Sequence, residues 1–163
     1  MNLVAAGLIA TAISFVLLIT AAVWYAVPWM RRQPLEVALT APLWVHAFRY
    51  VALQIFSAQQ FGFHVSDSLA REIAWGDVAG AAIAFAALWL LRRRSRAAVV
   101  VLWLFIVESA VDLANATIGG IREQALAAAH AVSWLILTIY APLLWVTLGL
   151  VIWRLVTRAR QPA

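Results

Sequence analysis

The sequence predicts an all-α, polytopic transmembrane bundle of five spans, with the N-terminus outside and the C-terminus cytoplasmic. Three observations carry that expectation. The chain has 163 residues, of which 66% are hydrophobic, against about 45–50% apolar in soluble domains. Five of its apolar stretches approach the roughly 20 residues that a helix needs to cross a hydrocarbon core. Nine of its twelve arginines, Arg31, Arg32, Arg92, Arg93, Arg94, Arg96, Arg154, Arg158 and Arg160, fall on one side of a five-span arrangement, which the positive-inside rule makes the cytoplasmic side.

The first span covers about residues 3–30 and stops at Arg31-Arg32. No positive charge precedes it, so it reads as a retained helix with its N-terminus outside rather than a cleaved signal peptide. The second covers about 38–57 and carries Arg49 near its middle. An outer loop follows, in which Asp67 or Ser68 is placed to cap the next helix. The third span, about 73–91, ends at the run Arg92-Arg93-Arg94-Ser95-Arg96. The fourth, about 97–118, stops at Gly119-Gly120, and the fifth, about 129–153, ends at Arg154. Pro142 lies inside the fifth, where it frees the carbonyl of Thr138 and bends the helix. Tryptophans 29, 44, 89 and 153 fall near the cytoplasmic ends and 75 and 134 toward the outer side, the levels tryptophan prefers. Trp103 and Trp145 fall deeper and are expected to pack between helices. No loop is long enough to fold by itself, so the chain is read as one domain, residues 1–163.

Composition excludes several classes. There is no cysteine and no lysine, which removes disulfides, thiolate metal sites, thiol catalysis and Schiff-base pigments. The net charge of +5 comes from arginines at span ends, so it points to membrane topology and anionic lipid rather than nucleic acid. No nucleophile elbow, zinc-protease, phosphate-loop or dinucleotide signature is present, and the reading favours a non-enzymatic protein. No metal site and no cofactor is predicted. Arginine-only, alanine-rich usage points to the cytoplasmic membrane of a bacterium.

The chemistry lies inside the spans. An arginine at the bilayer centre costs about 2.5–3.5 kcal/mol on the lenient insertion scale, yet Arg49 sits there. Asp77, Glu108 and Asp112 also fall within apolar stretches. On the second span His46, Arg49, Tyr50, Gln54, Ser57 and Gln60 share one arc at 100° per residue. On the fourth, Glu108, Asp112 and Asn115 share a stripe. On the third, Gly76 and Gly80 form a small-residue ridge for close helix packing, within the bundle or in a homodimer. At 1.5 Å per residue, Arg49 and Glu108 reach one depth, with Asp77, Asp112 and Gln54 about a turn further out. His130 stands at the outer rim. These positions predict a polar network of Arg49, Gln54, Asp77, Glu108, Asp112, Asn115 and His130, opening outward. One cation cannot neutralise three carboxylates, so a proton, a bound cation or His130 must balance the remainder.

The Gly76-Asp77 pair opening one helix, the Asp112-Leu113 pair in the next and the arginine in the helix before them resemble small multi-pass bacterial membrane proteins of uncharacterised activity. The resemblance covers about residues 45–119 and departs where such proteins carry asparagine in place of Glu108. It implies a shared buried polar network and no activity. The expected function is therefore binding of a proton, cation or small polar ligand by the network, with transport as its extension. The alternatives are an accessory subunit of a larger membrane complex, with the cluster fixing helix register, and a carrier of haem, quinone or pigment.

Overall fold

The computed structural model describes residues 2–159, with side chains as far as Thr157. Arg160 and the side chain of Arg158, both counted above for orientation, lie outside the described residues. The described residues form helices and loops with no strand. Four helical runs, Leu3–Arg32, Asp67–Arg92, Ala98–Arg122 and Ala131–Thr157, are long and apolar enough to cross a membrane.

Helix α1 (Leu3–Arg32) starts where the Asn2 side chain accepts from the Val4 amide at 3.1 Å. It widens into a π turn at Ala22–Ala26, where the Val27 amide reaches back five residues to the Ala22 carbonyl. Pro28 follows at once. A proline has no N–H to offer and its ring crowds the carbonyl four residues back. Widening the turn moves that carbonyl aside. The same device recurs in α5, which consists of Ala131–Leu135, a π turn at Ile136–Tyr140, and Ala141–Ala159. There the Ala141 amide reaches Ile136, and Pro142 follows. The bend expected at this proline thus takes the form of a wide turn.

The second run departs from expectation. It is helical but broken into Leu35–Ala38, Thr40–Ala47, a 3₁₀ segment Phe48–Leu53 and Gln54–Gln60, collectively α2. A 3₁₀ helix advances 120° per residue instead of 100°. Six such residues rotate everything beyond them by about 120°, which destroys the single polar arc. His46 and Arg49 stay buried, Gln54 is half-buried, and Tyr50, Ser57 and Gln60 are exposed.

Helix α3 (Asp67–Arg92) is capped by Ser66, whose hydroxyl accepts from the Leu69 amide at 3.2 Å. Neither expected cap, Asp67 nor Ser68, holds that position. Helix α4 (Ala98–Arg122) runs through Gly119-Gly120 without stopping. It breaks only at Gln124, which is left-handed with φ 53°. Trp103 is 45% exposed on its outer surface rather than packed between helices, whereas Trp145 packs on the core.

Helix α3 packs most intimately, on α2 and on α4, and α5 closes the bundle against α1, α2 and α4. Helix α1 leans on α5 and is otherwise largely exposed. Two apolar clusters fill the interior. Leu43, Ala84, Phe105 and Leu148 belong to one, and Ile55, Ala74, Ala125 and Ala129 to the other. The ends of the helices meet in two groups. At one end Arg94 approaches Glu36 at 3.8 Å, Arg154 donates to the Gln33 carbonyl at 2.8 Å, and Arg31 lies over the Trp153 ring at 5.7 Å. At the other, Glu123 accepts from the Ser66 amide at 2.6 Å and from its hydroxyl at 2.5 Å.

Those two bonds from Ser66, the hydroxyl first, hold the Glu123 carboxyl below its ordinary value. A carboxylate lowered in the folded state contributes stability above its unfolded value of about 4.3. The contribution fades as pH falls through the folded value. The protection of the Ser66 and Leu69 amides, taken relative to the intrinsic exchange rate at each pH, is therefore expected to fall on acidification below about pH 4.3. Glu123→Gln is expected to show the lower protection already at neutral pH. Equal protection in both proteins across the range would remove the role assigned to this contact.

Candidate functional site

Arg49 is the second residue of the 3₁₀ segment and is fully buried. Its planar guanidinium presents donors in a fixed fork, and the surrounding helices fill that fork. Nε donates to Asp77 Oδ1 at 2.6 Å. Nη2 donates to Asp112 Oδ2. Nη1 donates to Ser109 Oγ at 2.9 Å, and that hydroxyl donates onward to Glu108 Oε2 at 3.0 Å. Glu108 itself stands 3.9 Å from Nη1. One arginine from α2 thus joins two carboxylates directly and a third through a serine, across α3 and α4.

The expected grouping of Arg49 with the three carboxylates is met, but equal depth does not decide the direct partner. Asp77 and Asp112, placed a turn further out by simple depth, are the direct partners, and Glu108 is the distant one. The length of the arginine side chain bridges the offset. The carboxylates are not sealed in. Their side chains are 13%, 19% and 12% exposed for Asp77, Glu108 and Asp112.

The glycines explain how the fork fits. A Cβ at Gly80 would lie 2.6 Å from Arg49 Nη1 and 2.9 Å from Glu108 Oε2. A Cβ at Gly76 would overlap Asp112 Oδ1. The small-residue ridge therefore forms the floor of the ion-pair site inside one chain.

Ser109 is fully buried and central to the network, and sequence reasoning missed it. The signal was available. On α4 the buried positions Leu102, Phe105, Ile106, Ser109 and Leu113 define the inward face. At 100° per residue Ser109 lies near the centre of that face, Asp112 and Glu108 progressively toward its edge, and Asn115 beyond it. Asn115 is indeed exposed and takes no part in the network. His130 is also exposed, its Nδ1 lying 3.1 Å from the Ala128 carbonyl, and does not balance the cluster.

His46, one turn before Arg49, is buried against the Phe105 ring with centroids 4.9 Å apart. The Thr147 hydroxyl donates to the Leu143 carbonyl at 2.7 Å and shares a hydrogen bond with His46 Nε2 at 3.1 Å. Tyr140, at the end of the π turn of α5, donates to the Val45 carbonyl at 2.9 Å. This bond ties the π turn of α5 to the last α-helical turn of α2 before its 3₁₀ segment.

Outside Asp77 lies a cavity of about 120 Å³. It reaches from Phe63 and Gly120, at the level of the loop between α2 and α3, down to Asp77, and Gln54, Thr117, Ser133 and Tyr140 line it. Its walls are otherwise mainly apolar. Gln54 thus belongs to the approach to the network rather than to the network. Among the described residues no three His, Cys, Asp or Glu side chains are disposed to hold a metal ion.

Residues 6–156 match a domain of unknown function (DUF8737), and the chain belongs to that family. No curated protein and no solved structure matches the chain.

Proposed function

We propose that this member of DUF8737 is a five-span protein of the bacterial cytoplasmic membrane whose Arg49–Asp77–Glu108–Asp112 network binds and exchanges a proton. The observation that carries the reading is the charge balance of the site. One fully buried guanidinium is hydrogen-bonded to two carboxylates and linked to a third through Ser109, with little access to water. With all three ionised, two negative charges would stand uncompensated in a low-dielectric setting, which is costly. Protonation of at least one carboxyl relieves that cost. A metal or organic cation is less suited, because Arg49 already occupies the centre of the carboxylates. A solute is disfavoured by size, since about 120 Å³ holds only a few waters at roughly 30 Å³ each. Such a cavity suffices to bring a proton to Asp77 from the outer side.

Five crossings are supported by the length of α2. Its 26 residues, six of them in the 3₁₀ segment, extend roughly 40 Å along the axis. A 3₁₀ segment keeps its backbone bonds within the helix, as a crossing requires, and α3 packs against its buried side. The grouping of chain ends into two opposite sets fits the same path. The exposed arginines 31, 32, 92, 93, 94 and 96 support a cytoplasmic position for one set under the positive-inside rule. The buried Arg154 is engaged with Gln33 and contributes less to that argument.

Infrared difference spectra of the protein in lipid test the proton. A protonated carboxyl band is expected to disappear between about pH 5 and 8. It should be missing in one of Asp77→Asn, Glu108→Gln or Asp112→Asn. If no carboxyl band titrates in that window, the proton site fails and a purely register-fixing role for the cluster replaces it.

A further inference from the structure

A second feature lies away from the ion-pair network, on the opposite side of α5. A groove of about 750 Å³ lies between α1 and α2, with α5 as its floor. Leu18 and Trp29 of α1, Ala41 and Pro42 of α2, and Leu150 of α5 line it, and Arg32 stands at one end. We infer that this groove is a binding site for an anionic phospholipid, with its phosphate at Arg32 and an acyl chain running toward Leu18.

The groove arises from sequence. Alanines at 21, 22, 26, 38 and 41 leave space where α1 faces α2, and the π turn ahead of Pro28 widens α1 at the same level. Its lining is almost wholly apolar and has Arg32 as its only charged member. Length and charge together select the occupant. From Leu18 to Trp29 is eleven residues, or about 16 Å of helix, which matches one leaflet of a ~30 Å hydrocarbon core. Arg32 lies one turn beyond, at headgroup level. Arg31 is adjacent and exposed, which adds positive potential. The nearest acidic residue in sequence, Glu36, lines a separate recess with Arg92 and Arg94, so it does not neutralise this end. A partner helix would satisfy the apolar walls but not the cation. An acyl chain with a phosphate head satisfies both.

The inference rests on the membrane reading but not on the proton site, and its test leaves the network untouched. The full chain in mild detergent is presented with equal phosphatidylglycerol and phosphatidylcholine of identical acyl chains, and bound lipid is read by native mass spectrometry. One retained phosphatidylglycerol is expected, preferred by roughly fivefold, the worth of one arginine–anionic lipid contact. Arg32→Gln should bring the two lipids to near parity. Ala41→Phe should fill the groove and abolish retention of both. Arg96→Gln removes a cation away from the groove and should change nothing. Equal retention of the two lipids by the wild type would overturn the site. So would an equal loss of preference in Arg96→Gln, which reports bulk charge alone, or a second protein chain bound in place of lipid. Should Ala41→Phe fail to fold, the comparison of Arg32→Gln with Arg96→Gln still decides.

Discussion

Replacing Arg49 with leucine is expected to lower the stability of the bundle in detergent by about 3 kcal/mol, the lower end of the range for breaking a buried ion pair. The loss comes less from the attraction removed than from what stays behind. Asp77, Glu108 and Asp112 would face one another with no cation between them, and Ser109 would lose its donor. Removing a carboxylate as well relieves that repulsion. Arg49→Leu combined with Asp112→Leu should therefore be less destabilised than Arg49→Leu alone, even though two polar contacts are gone. Asp77→Leu should rescue similarly, because its oxygen is bonded directly to Nε. Glu108→Leu should rescue less, since it stands 3.9 Å away and is reached through Ser109. Thermal melts of the single and double variants give the coupling energies directly. Strictly additive losses would show that the arginine and its carboxylates do not act as a unit. The lower end of the range is chosen because the carboxylates keep some exposure, and because polar contacts between membrane helices average only about 0.6 kcal/mol.

Gly80→Ala is the second large expected effect. An added methyl inside a helix ordinarily stabilises by about 0.5–1 kcal/mol relative to glycine. At Gly80 the methyl would meet Nη1 of Arg49 at 2.6 Å. The guanidinium is a long side chain's end and would usually move aside, but here three partners pin it. The expected outcome is a net loss of about 1–3 kcal/mol, typical of overpacking. Gly149→Ala, which meets nothing within 4 Å on α5, should be neutral or stabilising and serves as the reference. The decisive comparison is in the Arg49→Leu background. With the guanidinium gone, the shorter leucine leaves room and Gly80→Ala should lose much of its cost. If Gly80→Ala is as benign as Gly149→Ala in the native background, the floor assigned to the ridge is wrong.

Much of the site was legible because a bilayer is an unforgiving solvent. An arginine and three carboxylates within apolar runs must find one another or face hydrocarbon. Arg49, Asp77, Glu108 and Asp112 could therefore be grouped without coordinates, and the structure does bring them together. Asn115 and His130 were drawn in by the same logic but stand apart. Both lie where a polar side chain is exposed on the surface, so nothing compels them inward. Ser109 was overlooked because a serine in an apolar helix carries no such compulsion. Its role comes from facing the centre of the bundle.

Four long apolar runs, their arginine-rich ends and the buried charges follow from the sequence by itself, because hydropathy and charge act residue by residue on the exchange with solvent. Which carboxylate touches the arginine, why two glycines must lie beneath it, and where α2 gives up α-helical geometry were decided only by tertiary structure. Those outcomes depend on the rotation and approach of each helix against its neighbours. A 3₁₀ segment of six residues shifts the phase of α2 by about a third of a turn, and one methyl group separates a floor from a clash. No periodicity within a single helix contains that information, because it belongs to the packing of several helices at once.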